Sequence, residues 1–340
     1  MPDNEAVARW IPDNSALKAF RESPEVFRLQ YRLHLHHAGP NDKMLAGSAV
    51  HAGRNVLYEW RRTAQAAETL TGTPWTAGYP EEIVAEAVRV TRAHRGEGSG
   101  PRNADQCEQV IRTYAAKYAV EPFAVVENER YVEARIHSAQ CLREHDATVC
   151  GPMVGDICGA DCFDFCGIQD AVIRFPDGSE YVKDLKSTGA YLNAGWEVAA
   201  RLGDQFVGYV AMRRALGYRC DGFFVDGIHM KDAKPRKDGS IGTPGVDPDD
   251  FVRVGPVAVP DWRVERWAAD VRYTLKAIRE LDETRGPDVP WPAYQNWAFG
   301  KVDQFREFYE VPPELYPSVA NTFERREWSP RAVADERAVT

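Results

Sequence analysis

An α/β fold with a mixed central sheet is the architecture that this 340-residue chain encodes. Apolar residues recur at helical spacing early in the chain and again over 262–281. After Pro122, strand-like runs flank compact turn signals. The order is therefore helices, a strand block, one helix, another strand and closing helices, which is not the repeating βαβ pattern of a barrel. A composition with 44% hydrophobic and 11% aromatic residues can bury a large core, so disorder is not the default. No run of about 18 apolar residues exists to span a membrane. Met1 to Trp10 lacks the basic-then-apolar pattern of a secretory signal, so the chain reads as soluble and cytoplasmic.

The elements follow in order. Asn14-Ser15 caps an apolar-periodic stretch through Leu17, Phe20, Phe27, Tyr31 and Leu33, with Pro24 at a helix start. Further helices are expected over Ala46–Thr63, Pro80–His94 and Asp105–Tyr118, the last two separated by a Gly/Arg-rich loop at Arg95–Arg102. Phe123–Val126 and Tyr131–Ile136 flank Glu127-Asn128-Glu129 and read as a hairpin. Gly167–Phe175 and Ser179–Leu185 flank Pro176-Asp177-Gly178, a stronger hairpin signal because Asp-Gly supplies positive φ readily. A helix over Val198–Leu216 and a strand over Gly222–His229 come next. Lys231–Asp249 reads as a mobile surface loop, and Trp262–Leu281 as a helix with Trp267, Val271, Leu275 and Ile278 on one face. The last 20 or so residues are polar and expected to fray.

The chemistry concentrates on the second hairpin. Folding at Asp177-Gly178 brings Asp170 opposite positions 184 to 186, and Asp184 and Lys186 share a face because they are two apart. Two converging carboxylates repel each other, and a hard divalent cation relieves that repulsion. A lysine beside such a cation can orient or deprotonate water, or neutralise phosphate charge. Ordinary surface charges on a solvated hairpin account for the spacing equally well. Two other groups bear on the choice. Gly47-Ser48-Ala49-Val50-His51 sets a histidine one turn after a glycine, on a helix that must approach something closely. Gln205 and Tyr209 stand at i and i+4 on one helix face.

Taken together and in this order, these pieces resemble the RecB-like branch of the PD-(D/E)XK nuclease superfamily. The likeness begins at Ser15–Phe20 with Ser23-Pro24, continues through Gly47–His51, Gly167–Asp170, Asp184–Lys186 and Gln205–Tyr209, and ends near Trp291-Pro292. It implies a restriction-endonuclease-like α/β core, with a central mixed sheet flanked by helices and helical N- and C-terminal elaborations. The resulting layout is a single nuclease domain over 1–315: a helical elaboration at 61–120, a catalytic sheet core at 122–230, the mobile loop at 231–249 and closing helices at 261–310. A polar tail follows at 316–340. The resemblance further implies a magnesium- or manganese-dependent DNA exonuclease, similar to phage recombination exonucleases and CRISPR-associated RecB-like nucleases. Asp170 and Asp184 would bind the metal with the Leu185 carbonyl and His51. Lys186 would be the catalytic lysine, and Gln205 and Tyr209 would position DNA or that lysine. DNA is the implied substrate, and a recombination or single-strand-annealing protein a possible partner.

The sequence departs from that branch in one respect. Many of its members hold an iron–sulfur cluster on four cysteines, whose positions here are occupied by Ser23, Trp297, Asp303 and Tyr309. Loss of all four fits a cluster discarded as a unit, with packing by Trp297, Phe305, Phe308 and Tyr309 in its place. The seven cysteines, an odd number in a long chain, do not read as a secreted disulfide framework. Cys150, Cys158, Cys162 and Cys166 fall within the loose spacing of a zinc or iron–sulfur site, though Cys166 also suits a core strand. His34, His36 and His37 read as an exposed patch; Lys231, Lys234, Arg236 and Lys237 as solvated loop charges; Arg213, Arg214 and Arg219 as candidate DNA contacts. A net charge of -9 argues against a bulk coat of nucleic acid and leaves room for a local basic cleft. A nuclease-like fold that only binds DNA or assembles with partners stands as the rival function.

Overall fold

A computed structural model of the chain describes residues 10–37, 41–71, 78–96, 100–138, 161–233, 242–293 and 304–333. The N-terminal helices are α1 (Asn14–Glu22) and α2 (Pro24–Phe27), followed by a π turn over Arg28–Arg32 and a two-residue strand β1 (Leu35–His36). The cap of α1 is Asp13 rather than Asn14, because the Asp13 carboxylate accepts the Ala16 N–H at 2.7 Å. Pro24 does open its helix, with Ser23 capping it. Helices α3 (Asp42–Thr71), α4 (Glu81–Arg95) and α5 (Ala104–Lys117) form a layer; α3 is longer at both ends than its apolar pattern indicated.

The sheet contains β2 (Ala124–Ile136), β3 (Phe163–Arg174), β4 (Glu180–Thr188), β5 (Gly222–His229) and β6 (Phe251–Ala258) in that spatial order. Only the β4–β5 pair is parallel, so the sheet is mixed. Between β4 and β5 lie α6 (Ala194–Leu202) and α7 (Asp204–Ala215), and α8 (Asp261–Thr284) follows β6. Short helices α9 (Arg306–Tyr309) and α10 (Tyr316–Ala320) precede β7 (Glu324–Arg325), which pairs with β1. One core fills the sheet face bearing Val172 and Val182, against Phe206, Val210, Trp267 and Val271 of α7 and α8. The other fills the face bearing Ile173 and Leu185, against Val50, Leu57 and Ile111 of α3 and α5.

Three local expectations are corrected, and one strand was not foreseen. The hairpin at Glu127-Asn128-Glu129 does not exist. β2 runs through it, pairing Glu127 with Val172 and Asn128 with Ala171, and absorbs the irregularity as a bulge after Val125, with Glu129 at φ 46°. The helix expected at Val198–Leu216 is two helices parted at Gly203. Strand β6 carried no expectation, because it abuts a Gly/Pro/Asp-rich loop and contains Gly255-Pro256; as an edge strand it tolerates the proline. The segment of the tail described up to residue 333 is tied down: β7 pairs with β1, and Trp328 donates its indole N–H to Asp13 at 2.9 Å. The Asp177-Gly178 turn forms as expected, with Gly178 at φ 80° and the β3–β4 pair antiparallel.

Candidate active site

The β3–β4 ladder runs from Arg174 opposite Glu180 to Ala171 opposite Lys183 and closes there. One further step of that register brings Asp170 to Asp184, at the point where the strands part. Helix α3 crosses this opening. A Cβ at Gly47 would lie 2.8 Å from Ser187 Oγ, so a glycine is what lets α3 run close to β4. That approach delivers His51 and Arg54 to the carboxylate. His51 Nδ1 and Arg54 Nη2 each stand 3.2 Å from Asp170 Oδ2, and the Leu185 N–H donates to the same oxygen at 2.9 Å. One hydrogen bond and two close side-chain contacts converge on that oxygen and hold the carboxylate in place.

Asp184 has the opposite environment. Its carboxylate is buried, and its ionic contact is the Lys186 ammonium at 2.9 Å from Oδ2. Its Oδ1 is buried without a hydrogen-bond partner among the described residues. Lys186 is 39% exposed and passes 5.8 Å from the Phe206 ring, so its ammonium sits at the mouth of the opening. From the other layer, Gln205 donates to the Tyr209 hydroxyl at 2.8 Å. Tyr209 lies on β3 because residue 167 has no side chain: a Cβ there would meet Tyr209 Cε1 at 2.9 Å. Gln169 Nε2 bonds the Tyr209 carbonyl at 3.2 Å and ties α7 to the same strand.

Burial would raise Asp170, but the adjacent His51 and Arg54 outweigh it and hold the carboxyl far below its usual range. For Asp184 burial wins: it is pushed up to about 6, helped by the Asp170 charge and opposed by Lys186. Burial would lower Lys186, yet the two carboxylates raise it above its ordinary value, so it is an ammonium. Burial, then the same two carboxylates, holds the Tyr209 hydroxyl protonated.

The six residues expected to form the site thus converge: His51, Asp170, Asp184, Lys186, Gln205 and Tyr209, with Leu185 between the acids. Arg54 was missed. Its signal was present, since it lies three residues after His51 on the same helix, but a lone helical arginine is ordinarily a surface residue; here it is 1% exposed, over the Tyr58 ring at 4.7 Å. Also missed was a charged network beneath β4. Lys183 is ion-paired to Asp226, which accepts from Tyr114 at 2.8 Å and from Arg253 at 2.7 Å, and Arg253 also grips Glu121 at 2.6 and 2.8 Å. Side-chain period two puts Lys183 on the opposite face from Asp184 and Lys186, so this network is separate from the site.

Arg213 is corrected as a DNA contact: it is buried and paired to Glu127 at 2.7 Å. Arg214 and Arg219 are paired to Asp261 and Asp221. The histidines form an exposed patch only in part: His34, at φ 56°, and His36, paired in β1, are half-buried, while His37 is exposed and meets the Gln304 carbonyl at 2.6 Å. Cys166 is in a core strand, its thiol pushed up to about 12 by burial, and Cys162 lies 3.6 Å from His137 Nδ1. Cys150 and Cys158 lie outside the described residues, as do Trp297, Asp303, Lys234, Arg236 and Lys237. At the remaining cluster positions Ser23 caps α2, and Tyr309 packs on a small core of Leu29, Leu35, Phe305 and Phe308.

A divalent cation fits this donor set in part. The orphaned Asp184 oxygen beside an ionised Asp170 is a place where positive charge is favoured. Among the described residues no three His, Cys, Asp or Glu side chains stand in a ready coordination group. Two carboxylates and a carbonyl, with water and phosphate completing the shell, are the habit of magnesium.

The fold defines the class first. A mixed five-stranded sheet flanked by helices, opening over two acids and a lysine, is the restriction-endonuclease-like α/β architecture. The sequence model of the PD-(D/E)XK nuclease superfamily matches residues 14–291, and the chain belongs to that superfamily. Its members are in general metal-dependent nucleases, which implies a DNA substrate here. No curated protein matches the chain. Among the described residues, no helix is long and apolar enough to cross a membrane.

Proposed function

We propose that this chain is a magnesium- or manganese-dependent DNA exonuclease of the RecB-like branch, hydrolysing phosphodiesters of linear DNA in phage or mobile-element recombination or repair. The observation that carries it is the buried Asp184 oxygen without a partner, beside an Asp170 held ionised by Arg54 and His51. The order of the Gly47–His51, Asp170, Asp184–Lys186 and Gln205–Tyr209 segments supports the branch and the exonuclease mode.

Asp170, Asp184 and the Leu185 carbonyl would hold the cation, with His51 beside them. Since His51 Nδ1 faces Asp170, its other ring nitrogen is the one available to a ligand. When bound, the cation stabilises charge on phosphate oxygens and makes its water a better nucleophile. Lys186, reachable from solvent, moves its ammonium from Asp184 to a phosphate oxygen or the attacking water. Tyr209 and Gln205 form a protonated, hydrogen-bonded wall that keeps Lys186 directed at the opening. A catalytically silent DNA-binding subunit is the rival reading, favoured by the Lys186–Asp184 pair closing the site. Digestion of end-labelled linear DNA with magnesium and with EDTA separates them: magnesium-dependent loss of label is expected, and an inert protein at high enzyme excess would refute the proposal.

Metal affinity should follow Asp184. A carboxyl whose folded pKa is raised stabilises the metal-free protein in acid and loses that contribution as pH rises through about 6. Metal binding needs the ionised form, so the cation should bind about tenfold more weakly at pH 5 than at pH 7.5, with close to one proton released at pH 5 and almost none at pH 7.5. Asp170 is charged throughout and adds nothing in this window. Isothermal titration in two buffers of different ionisation enthalpy measures both quantities; pH-independent binding without proton release would contradict the assignment.

A further inference from the structure

Beside the opening lies a groove of about 630 Å³ floored by α3, with α4 on one side and the β2 bulge on the other. His51 belongs to both, since it lines the groove and meets Asp170, so an occupant would lie one side chain from the carboxylates. The floor runs from Ser48 to Thr63, roughly 22 Å of helix at 1.5 Å per residue. Its apolar surface comes from Ala52, Val56, Trp60 and Val90. The polar surface is rich in acceptors: Glu59, Glu86, Glu129, Asn55 and Asn128, while no lysine or arginine is among the described residues that line it.

That composition selects the occupant. The lining offers a phosphate no lysine or arginine, whereas its many oxygen acceptors suit hydrogen-bond donors, so of a nucleotide the base is the part it can hold. The acids are not free to collect a metal ion either. Glu59 is held bidentate by Arg62 at 2.6 and 3.0 Å, Glu86 likewise by Arg89 at 2.6 and 2.7 Å, and Glu129 accepts from Asn55. No three metal-competent side chains converge there among the described residues. Compensated acceptors along an apolar floor with an indole suit a flat, uncharged ring that carries N–H donors.

We propose that this groove is a nucleobase subsite, receiving an unstacked base next to the scissile phosphate and favouring amino-bearing bases over thymine. The inference rests on the nuclease reading above and adds to it how the substrate is recognised. Cytosine and thymine form the minimal pair, because cytosine presents an amino donor where thymine presents a carbonyl and a methyl neighbour.

Fluorescein-labelled oligo-dC and oligo-dT of equal length test it, with binding followed by anisotropy in calcium and cleavage in magnesium. The full chain should bind oligo-dC about tenfold more tightly than oligo-dT, the size of one stacked and hydrogen-bonded base. Ala52→Phe, which fills the floor, and Trp60→Ala, which removes its aromatic, should each bring oligo-dC down to the oligo-dT level, with thermal melting confirming that both variants fold. Equal wild-type affinities, or a preference unchanged in both folded variants, would overturn the subsite. Cleavage of both oligonucleotides without discrimination leaves the nuclease standing and removes the subsite. Discriminating binding without any cleavage leaves the subsite standing and removes the nuclease.

Discussion

Asp184→Asn and Lys186→Met should each lower magnesium-dependent DNA cleavage about a thousandfold or more, while the protein remains folded. The magnitude is that of removing a group that acts on charge developing in the transition state. The two changes fail for different reasons. Asparagine at 184 keeps the shape but removes the anion that would face the cation. Methionine at 186 keeps an unbranched side chain of similar length and removes the ammonium that stands 5.8 Å from the Phe206 ring. Asp184→Asn should not destabilise the metal-free protein and should raise its melting temperature modestly, because it removes a buried carboxyl that ionises unfavourably. Single-turnover cleavage and thermal melting read the two effects independently. Activity within tenfold of wild type in either variant would remove these residues from the chemistry, and a large loss of stability in Asp184→Asn would mean that Asp184 is structural.

Asp226→Asn should behave in the reverse manner, costing about 3–5 kcal/mol of stability with no direct role in catalysis. Asp226 is buried, and burial would raise its carboxyl, but Lys183 and Arg253 hold it well below the usual range. Burial already draws Lys183 down to about 8 in spite of Asp226. With residue 226 neutral, Arg253 keeps Glu121, whereas Lys183 keeps the Tyr114 hydroxyl at 3.4 Å and the Tyr58 ring at 5.4 Å, neither of them an anion. An ammonium in the core without its anion is the cause of the loss. Adding Lys183→Met to Asp226→Leu should recover part of it, since replacing both partners with apolar residues removes the uncompensated charge. Urea denaturation of the single and double variants measures this; a single-variant cost below about 1 kcal/mol would show that the network is not the internal strut it resembles.

The contrast between Lys183 and Lys186 shows where sequence reading works and where it stops. Both lysines flank Asp184 in one strand, and alternation assigns them to opposite faces. Which face is the opening and which is the closed core depends on α3 and α5 packing below β4, contacts distant in sequence. Asp226 and Arg253 illustrate the same limit: each reads as an ordinary strand charge, and only the pairing of β5 with β6, Asp226 opposite Arg253, makes them partners. The false hairpin at Glu127–Glu129 has a related origin. Its turn residues are real local signals, but the long β3 offered a full ladder of hydrogen bonds, and the chain took the ladder and kept the irregularity as a bulge.

The Asp177-Gly178 turn, the placement of Asp170 opposite residues 184 to 186, the shared face of Asp184 and Lys186 and the need for a close approach at Gly47 were all determined by the sequence itself. They depend on turn chemistry, a period of two and the absence of a side chain, which are local properties. The tertiary structure alone decided that Arg54 and His51 hold one oxygen of Asp170 while Asp184 stays buried and short of partners. Those contacts join α3 to strands more than a hundred residues away, and charge acquires its meaning only from the neighbours and the burial that such packing creates.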